Sequence, residues 1–169
     1  MASISRSTVL NLVVIAVLLA AVPGAIWRFL QTGNPYLFSQ QFFGDMLARL
    51  SGPGRMRFLF QPTVAILLGS RDGAKDAREG LPPFLWALVY HRSHRTALLR
   101  GAFESVRNLV SIAILLDVIS QVLMFHKVHP GAALLLGPVL IAIPYALSRA
   151  LANRISRRRS HAQPVARAS

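Results

Sequence analysis

The chain has 169 residues, of which 53% are hydrophobic, and it carries 19 Lys and Arg against 6 Asp and Glu, a net charge of +13. So large an apolar fraction excludes an ordinary soluble domain and favours an integral membrane protein. The absence of cysteine excludes disulfides, thiolate metal sites and a cysteine nucleophile. Because the cations lie in blocks beside apolar runs, we expect no nucleic-acid partner.

Three apolar stretches predict transmembrane helices, at residues 9–30, 106–125 and 132–151. Each has about the 20 residues needed to cross the hydrocarbon core of a bilayer. The predicted fold is therefore all-α: an integral membrane protein with three transmembrane helices, a short kinked fourth and interfacial helices, all in one membrane domain over residues 1–153.

The fourth stretch, residues 56–70, is short for a span unless Arg57 and Arg71 at its ends extend outward toward the headgroups. Gln61 and Pro62 add a kink. Three interpretations remain open: a short broken span, a segment that dips in and returns, or a helix lying at one interface.

The connections between the spans predict interfacial helices and a tail. In LFSQQFFGDMLARL, residues 37–50, the apolar residues recur at helical spacing and predict a helix in the membrane interface. Trp86 and Tyr90 are expected to anchor at the cytoplasmic interface. Residues 154–169 are basic and lack apolar periodicity, which predicts a disordered cytoplasmic tail beside anionic lipids.

Charge bias predicts the orientation, because short cytoplasmic segments collect Lys and Arg. The 71–107 connection and the C-terminal tail are basic, whereas the turn between the last two spans holds only Lys127, so both basic segments are predicted to be cytoplasmic. A cytoplasmic N-terminus then requires four spans. The alternatives are three spans with Arg6 and Lys127 outside, or cleavage of the first span as a signal peptide.

Asp117, near the middle of the 106–125 span, is the most informative residue of the sequence. On a helix it shares a stripe with Ser120 and Gln121, and we expect this stripe to face protein. Tyr145, one turn from a carbonyl that Pro144 leaves unpaired, completes the candidate intramembrane polar site. Two interpretations remain open: a proton relay or substrate site, or a neutral Asp that holds helices or a partner together.

Small residues recur every four positions in the first and last spans and predict close helix packing within the protein, with a homodimer contact as the alternative. They are Ala16, Ala20 and Gly24 in the first span and Ala142, Ala146 and Ala150 in the last. Gly69 and Gly73 have the same spacing. Because Arg71 and Asp72 lie between them, this pair is interpreted as the point where a helix leaves the membrane.

Two histidine pairs, His91 with His94 and His126 with His129, have a spacing that metal ligands use. The predicted topology separates the pairs across the bilayer, and neither has an adjacent carboxylate. They are therefore interpreted as lipid-headgroup contacts, and no metal or other cofactor is expected.

The segment RMRFLFQPTVAILLGSRDGAKDAREGLPPFLWAL, together with the Asp-bearing span and the Pro-kinked final span, resembles uncharacterised small bacterial inner-membrane proteins. The resemblance covers roughly residues 55–155. It implies a location in the cell inner membrane and supplies no activity, ligand or catalytic residue.

Three functions remain open from the sequence. The favoured one is a non-enzymatic accessory or assembly component of a membrane complex, with a membrane-protein partner or a second copy of itself and with anionic lipids at its basic face. The second is a proton-coupled carrier or channel component using Asp117. The third is a lipid-acting membrane enzyme using His91 and His94.

Overall fold

In a computed structural model, which describes residues 5–52, 54–90 and 92–166, the chain is mainly helical. These residues form six helices and no strand, so the prediction of an all-α fold is confirmed. The helices are α1 (Arg6–Thr32), α2 (Gln40–Ser51), α3 (Arg57–Arg78), α4 (Phe84–Tyr90), α5 (Arg92–Phe125) and α6 (Pro130–Ala166).

Three of the helices are long and apolar enough to cross a membrane: α1, the Arg95–Phe125 part of α5 and the Pro130–Arg159 part of α6. They contain the three predicted spans. Helix α1 ends at Gly33, whose φ of 67° is left-handed and whose N–H bonds the Phe29 carbonyl, as expected where glycine terminates a helix.

Helix α6 continues through Ala166, which differs from the disorder predicted for the tail from residue 154. Arginine is a good helix former, and the Arg157 guanidinium donates to the carbonyls of Gly80 and Leu81 at 2.6 and 2.7 Å. These bonds hold the start of the tail against the turn between α3 and α4, a contact that the charge pattern alone did not indicate. Residues 167–169 of the predicted tail lie outside the described residues.

The uncertain fourth stretch is helical and forms the first part of α3, with Pro62 inside the helix. Helix α3 has 22 residues and continues well past residue 70. The predicted interfacial helix is α2, whose first turn is capped by Ser39: the hydroxyl oxygen accepts from the Phe42 N–H at 3.2 Å. Within α2, Phe42 and Arg49 are buried.

The helices form two compact units, and α3, α5 and α6 contribute residues to both. The first unit comprises Met1–Gln61 and Asn108–Leu140; the second comprises Pro62–Arg107 and Ile141–Ser169.

In the first unit, α1 packs against α5 and α6 through a small apolar core of Val14, Ile114, Val118 and Ala133. The Ser111 hydroxyl of α5 donates to Asn11 Oδ1 of α1 at 2.8 Å.

The segment between α2 and α3 lies directly against α5, also within the first unit. A Cβ added to Gly54 would lie 2.7 Å from the Ser120 hydroxyl oxygen, and one added to Gly52 would overlap the Met124 side chain. Gly54 also has a φ of 91°, which favours glycine. The break between the two helices is therefore packed against the half of α5 that follows Asp117.

In the second unit, α3 and α6 approach each other at Gly69 and Gly73. A Cβ at Gly69 would overlap the Tyr145 carbonyl, and one at Gly73 would overlap the Arg149 carbonyl. The interpretation of this pair as the helix's exit from the membrane missed this role, because the polar residues between the glycines also take part in the contact. Asp72 accepts a hydrogen bond from Tyr145 at 2.6 Å.

The small residues of α1 do not pack inside the described protein as expected. Ala16, Ala20 and Gly24 are all exposed, and Val14 is the one buried residue of this fully described helix. The α1 face that packs on α5 carries larger side chains instead. Of the corresponding residues in α6, Ala150 is buried and Ala142 is exposed.

Candidate functional site

Asp117 lies at the centre of a buried polar cluster in the first unit. Its Oδ1 contacts the Arg57 guanidinium at 2.5 Å, and its Oδ2 accepts from Gln121 Nε2 at 2.7 Å. The Gln121 Oε1 in turn accepts the backbone N–H of His129 at 2.6 Å. Asp117 and Gln121 are fully buried, and Arg57 is 6% exposed. The cluster therefore joins α3, α5 and the turn before α6.

The partner of Asp117 changes the interpretation of this residue. One of the two interpretations left open by the sequence was a neutral carboxyl that holds helices together, whereas the contact with Arg57 supplies a permanent positive charge. Removing two charges from water is costly, and their attraction and the bond from Gln121 offset part of that cost. Within the described residues the Arg57 Nε has no hydrogen-bond partner, so the contact with Asp117 is the main interaction of this guanidinium.

The structure brings together three of the four predicted site residues. Asp117, Ser120 and Gln121 are buried on one face of α5, with Ser120 against the backbone of Gly54. Tyr145 belongs to the second unit, where its hydroxyl donates to Asp72.

A second buried cluster surrounds Tyr145 in that unit. The Arg149 guanidinium donates to both carboxylate oxygens of Asp76, at 2.7 and 2.9 Å, and to the Tyr145 hydroxyl at 2.9 Å. It also lies over the Phe84 ring, 4.7 Å from the centroid. A bidentate arginine–carboxylate contact fixes the relative orientation of the two side chains as well as pairing their charges. This cluster therefore holds α3 and α4 against α6.

Sequence reasoning missed the arginines of both clusters. Arg57 was considered only as a residue whose extension toward the headgroups would allow residues 56–70 to span, and Arg149 was assigned no partner. The available signal was the scarcity of acids: two carboxylates at buried helix positions, Asp76 and Asp117, each require a cation. Tertiary packing decides which of the 19 cations pairs with each of these carboxylates.

One further buried cation lies in the first unit. Arg49 is 1% exposed and lies over the Phe125 ring at 5.6 Å. Within the part of the chain that the structure describes, its three guanidinium nitrogens have no hydrogen-bond acceptor. The Gln61 amide is likewise buried without a hydrogen-bond partner among the described residues.

A cleft of about 670 Å³ opens in the first unit, and we call it the α1–α6 cleft. It is lined by the end of α1, the segment leading into α2, and the start of α6, with Arg28 and Lys127 among its side chains. His129 also lines it and stacks on Tyr36, with ring centroids 3.6 Å apart.

Burial and the neighbouring charge of Arg28 lower the pKa of His129 to about 4, so this histidine is neutral at physiological pH. Burial and the hydrogen bond to Asp45 raise the pKa of Tyr36. The Tyr36 hydroxyl donates to Asp45 Oδ2 at 2.7 Å.

The second unit holds a cleft of about 490 Å³ rich in carboxylates. Asp72 and Asp76 bond Tyr145 and Arg149, while Glu79 and Glu104 pair with Lys75 and Arg100 one turn away. Each carboxylate is thus already matched with a donor of this chain.

Within the described residues, no group of three or more metal-ligating side chains is found. His126 and His129 lie in the turn between α5 and α6 rather than on one helix face. His91 lies outside the described residues, as does the side chain of His94.

No family model, curated protein or solved structure matches this chain. The geometry of the site is therefore the basis for assigning its chemistry. Both clusters combine an ion pair between two helices with further hydrogen bonds, an arrangement suited to holding helices in a fixed position.

Proposed function

We propose that this protein is a multi-pass protein of the bacterial inner membrane that serves as a non-enzymatic accessory or assembly component of a membrane complex. Insertion is supported by the three long apolar helices. It is also supported by large apolar side chains that face outward along them, such as Leu19 at 64%, Leu123 at 62% and Leu151 at 60% exposure. Lipid tails are the natural solvent for such surfaces.

The α1–α6 cleft supports four crossings rather than three. Asn34, after α1, and Lys127, after α5, line the same cleft, and Arg28 donates to the Val128 carbonyl. The two helix ends then lie on one side of the membrane, so the chain between them must cross once in addition to α5. The helix pair α2–α3, broken beside Ser120, would provide this crossing.

With four crossings, the charge bias gives the orientation. The basic segments around residues 71–107 and after residue 153 then lie together on the cytoplasmic side, and Lys127 lies outside. Both chain ends are cytoplasmic in this arrangement. The basic cytoplasmic segments are suited to contact anionic lipids.

The exposed small residues of α1 carry the assembly proposal. Ala16, Ala20 and Gly24 form an outward stripe, and only 6% of the most apolar part of α1 is buried. Small side chains gain little from contact with lipid tails, but they allow the backbone of another helix to approach closely. We infer that this stripe packs against a helix of a partner protein or of a second copy.

The test is purification in mild detergent with identification of the proteins that remain bound. Ala20→Leu should abolish the association because the added side chain holds the partner helix away. Leu19→Phe is the matched control, since it enlarges an exposed side chain about 100° around the same helix. Isolation of the wild-type protein as a monomer with no bound protein would contradict the proposal.

A cysteine placed at Ala20 distinguishes the two partner types. The native chain has no cysteine, so a disulfide-linked dimer in membranes would identify a second copy, whereas a cross-link to another protein would identify a partner.

The carrier alternative has one observation in its favour, the helix break packed against α5 at Ser120 and Met124. Broken helices line substrate sites in transporters. The Arg57 contact weighs against it, because it gives the Asp117 carboxyl a fixed partner inside the protein. Asp117→Asn would abolish proton-coupled flux in proteoliposomes if this alternative were correct.

A further inference from the structure

The α1–α6 cleft of the first unit has the composition of an anion site. Arg28 and Lys127 line it, and the described residues that form its wall include no Asp or Glu. His129 is neutral there, so the side chains of the wall carry a charge of about +2. Asp45, which lies beside this region, is engaged by the Tyr36 hydroxyl at 2.7 Å.

The start of α6 adds one backbone donor to the same wall. Pro130, Gly131 and Ala132 line the cleft, and the first turn of α6 has no acidic residue. Pro130 has no N–H and the Ala132 N–H bonds the His129 carbonyl at 3.0 Å, so the Gly131 N–H is the donor that the N-terminus of this long helix offers to an anion. Helix dipole and cations thus act in the same direction.

A buried side chain without a partner provides an independent indication. His129 is 8% exposed, and within the described residues its Nδ1 has no hydrogen-bond partner. A buried imidazole nitrogen normally has one. Because His129 lines the cleft, a small movement of its ring would bring this buried nitrogen to a ligand oxygen there.

The α1 side of the cleft carries apolar residues beside the polar Arg28, Gln31 and Thr32. Ala25 and Phe29 line the cleft, and Ile26 and Leu30 continue the apolar surface as exposed side chains. Phosphate-binding groups therefore adjoin a surface suited to hydrocarbon. This juxtaposition is what a phospholipid requires and a free phosphate ion does not.

We propose that the α1–α6 cleft binds the phosphate headgroup of an anionic phospholipid, with Arg28, Lys127 and the N-terminus of α6 on the phosphate and an acyl chain along α1. The site adds a specific lipid contact to the general attraction between the basic segments and anionic lipids. It rests on the membrane insertion included in the proposed function, and it is independent of any partner protein.

Native mass spectrometry of the detergent-solubilised protein, titrated with phosphatidylglycerol or phosphatidylcholine, tests the site. The wild-type protein should retain phosphatidylglycerol in preference to phosphatidylcholine. Arg28→Gln should weaken this retention about tenfold through loss of charge-assisted bonds, and the exposed Lys127→Gln about threefold. Arg6→Gln, which removes an exposed charge at the opposite end of α1, is the matched control and should behave as wild type.

Arg28 also bonds the Val128 carbonyl, so its loss risks misfolding, and Lys127→Gln provides the decisive variant. Equal retention of the two lipids, or a Lys127→Gln variant indistinguishable from Arg6→Gln, would overturn the site. Displacement of phosphatidylglycerol by inorganic phosphate would overturn the lipid assignment in favour of a free anion. Failure to capture a partner protein would leave these lipid measurements unchanged, so the two proposals fail separately.

Discussion

Arg57 and Asp117 form a buried ion pair, with 2.5 Å between the guanidinium nitrogen and the carboxylate oxygen. The pair joins the first turn of α3 to the middle of α5, and both side chains are almost completely removed from solvent. A lone charge at either position would be strongly unfavourable, whereas the pair is compatible with a dry interior.

Breaking this pair should destabilise the protein, and removing both charges should destabilise it less than the two single substitutions added together. We expect Arg57→Met or Asp117→Leu alone to lower the free energy of unfolding by about 3–5 kcal/mol, because each leaves one buried charge unpaired. The double variant should lose less than the sum. Thermal unfolding followed by the fluorescence of Trp27 and Trp86 measures all three, and additive losses would mean that the two charges do not interact.

The glycines of α3 should tolerate no larger residue. Gly73→Ala places a methyl group against the Arg149 backbone, where main-chain atoms cannot move aside, and we expect a loss of about 1–3 kcal/mol. Gly101→Ala is the control, because a Cβ there meets no atom within 4 Å. It should be neutral or stabilising by up to about 1 kcal/mol, since alanine favours helix. Equal stability of the two variants would contradict the close α3–α6 contact.

Acid should weaken the first unit through His129. Its pKa is about 4 in the folded protein against an ordinary value of 6.5, because burial and the cations Arg28, Arg49 and Lys127 oppose protonation more than Asp45 favours it. The unfolded chain therefore binds the proton first, and stability is lost as the pH falls from 6.5 toward 4.

His129→Phe should reduce that acid sensitivity. Phenylalanine preserves stacking on Tyr36, and Gln121 bonds only the backbone of residue 129, so those contacts survive. We expect the difference in melting temperature between about pH 7.5 and pH 5 to be smaller in this variant than in the wild type. An unchanged difference would show that other groups cause the acid effect.

The topology is open to direct labelling because the chain contains no cysteine. In intact cells, a membrane-impermeant maleimide should label Asn34→Cys and Lys127→Cys, whereas Arg78→Cys should react only after lysis. All three positions are exposed in the structure. Labelling of Asn34→Cys and Lys127→Cys on opposite sides would restore the three-span alternative.

The sequence was sufficient to predict the three long apolar helices, because a run of about 20 apolar residues has few alternatives to a membrane helix. It also indicated the buried face of α5, since Asp117, Ser120 and Gln121 recur at helical spacing. Both predictions rest on local patterns that each segment carries by itself.

The ion pairs between distant segments could not be predicted from local sequence patterns. Arg57 and Asp117 are 60 positions apart, and Arg149 and Asp76 are 73 apart. The chain offers 19 cations for these two carboxylates. The exposure of Ala20 was also missed, because spacing alone does not say whether a small-residue face points inward or outward.

If α2 and α3 form one of the four proposed crossings, the break between them constrains how the protein is made. The nascent chain would present α2 and the start of α3 to the translocon before residue 117 has left the ribosome, so Arg57 would at first lack its counterion. These two helices would then be too polar to partition into lipid unaided, and they would wait beside the insertion machinery until α5 arrives. We expect the insertion of α2 and α3 into the membrane to be a late step of biogenesis, because it requires the prior synthesis of Asp117.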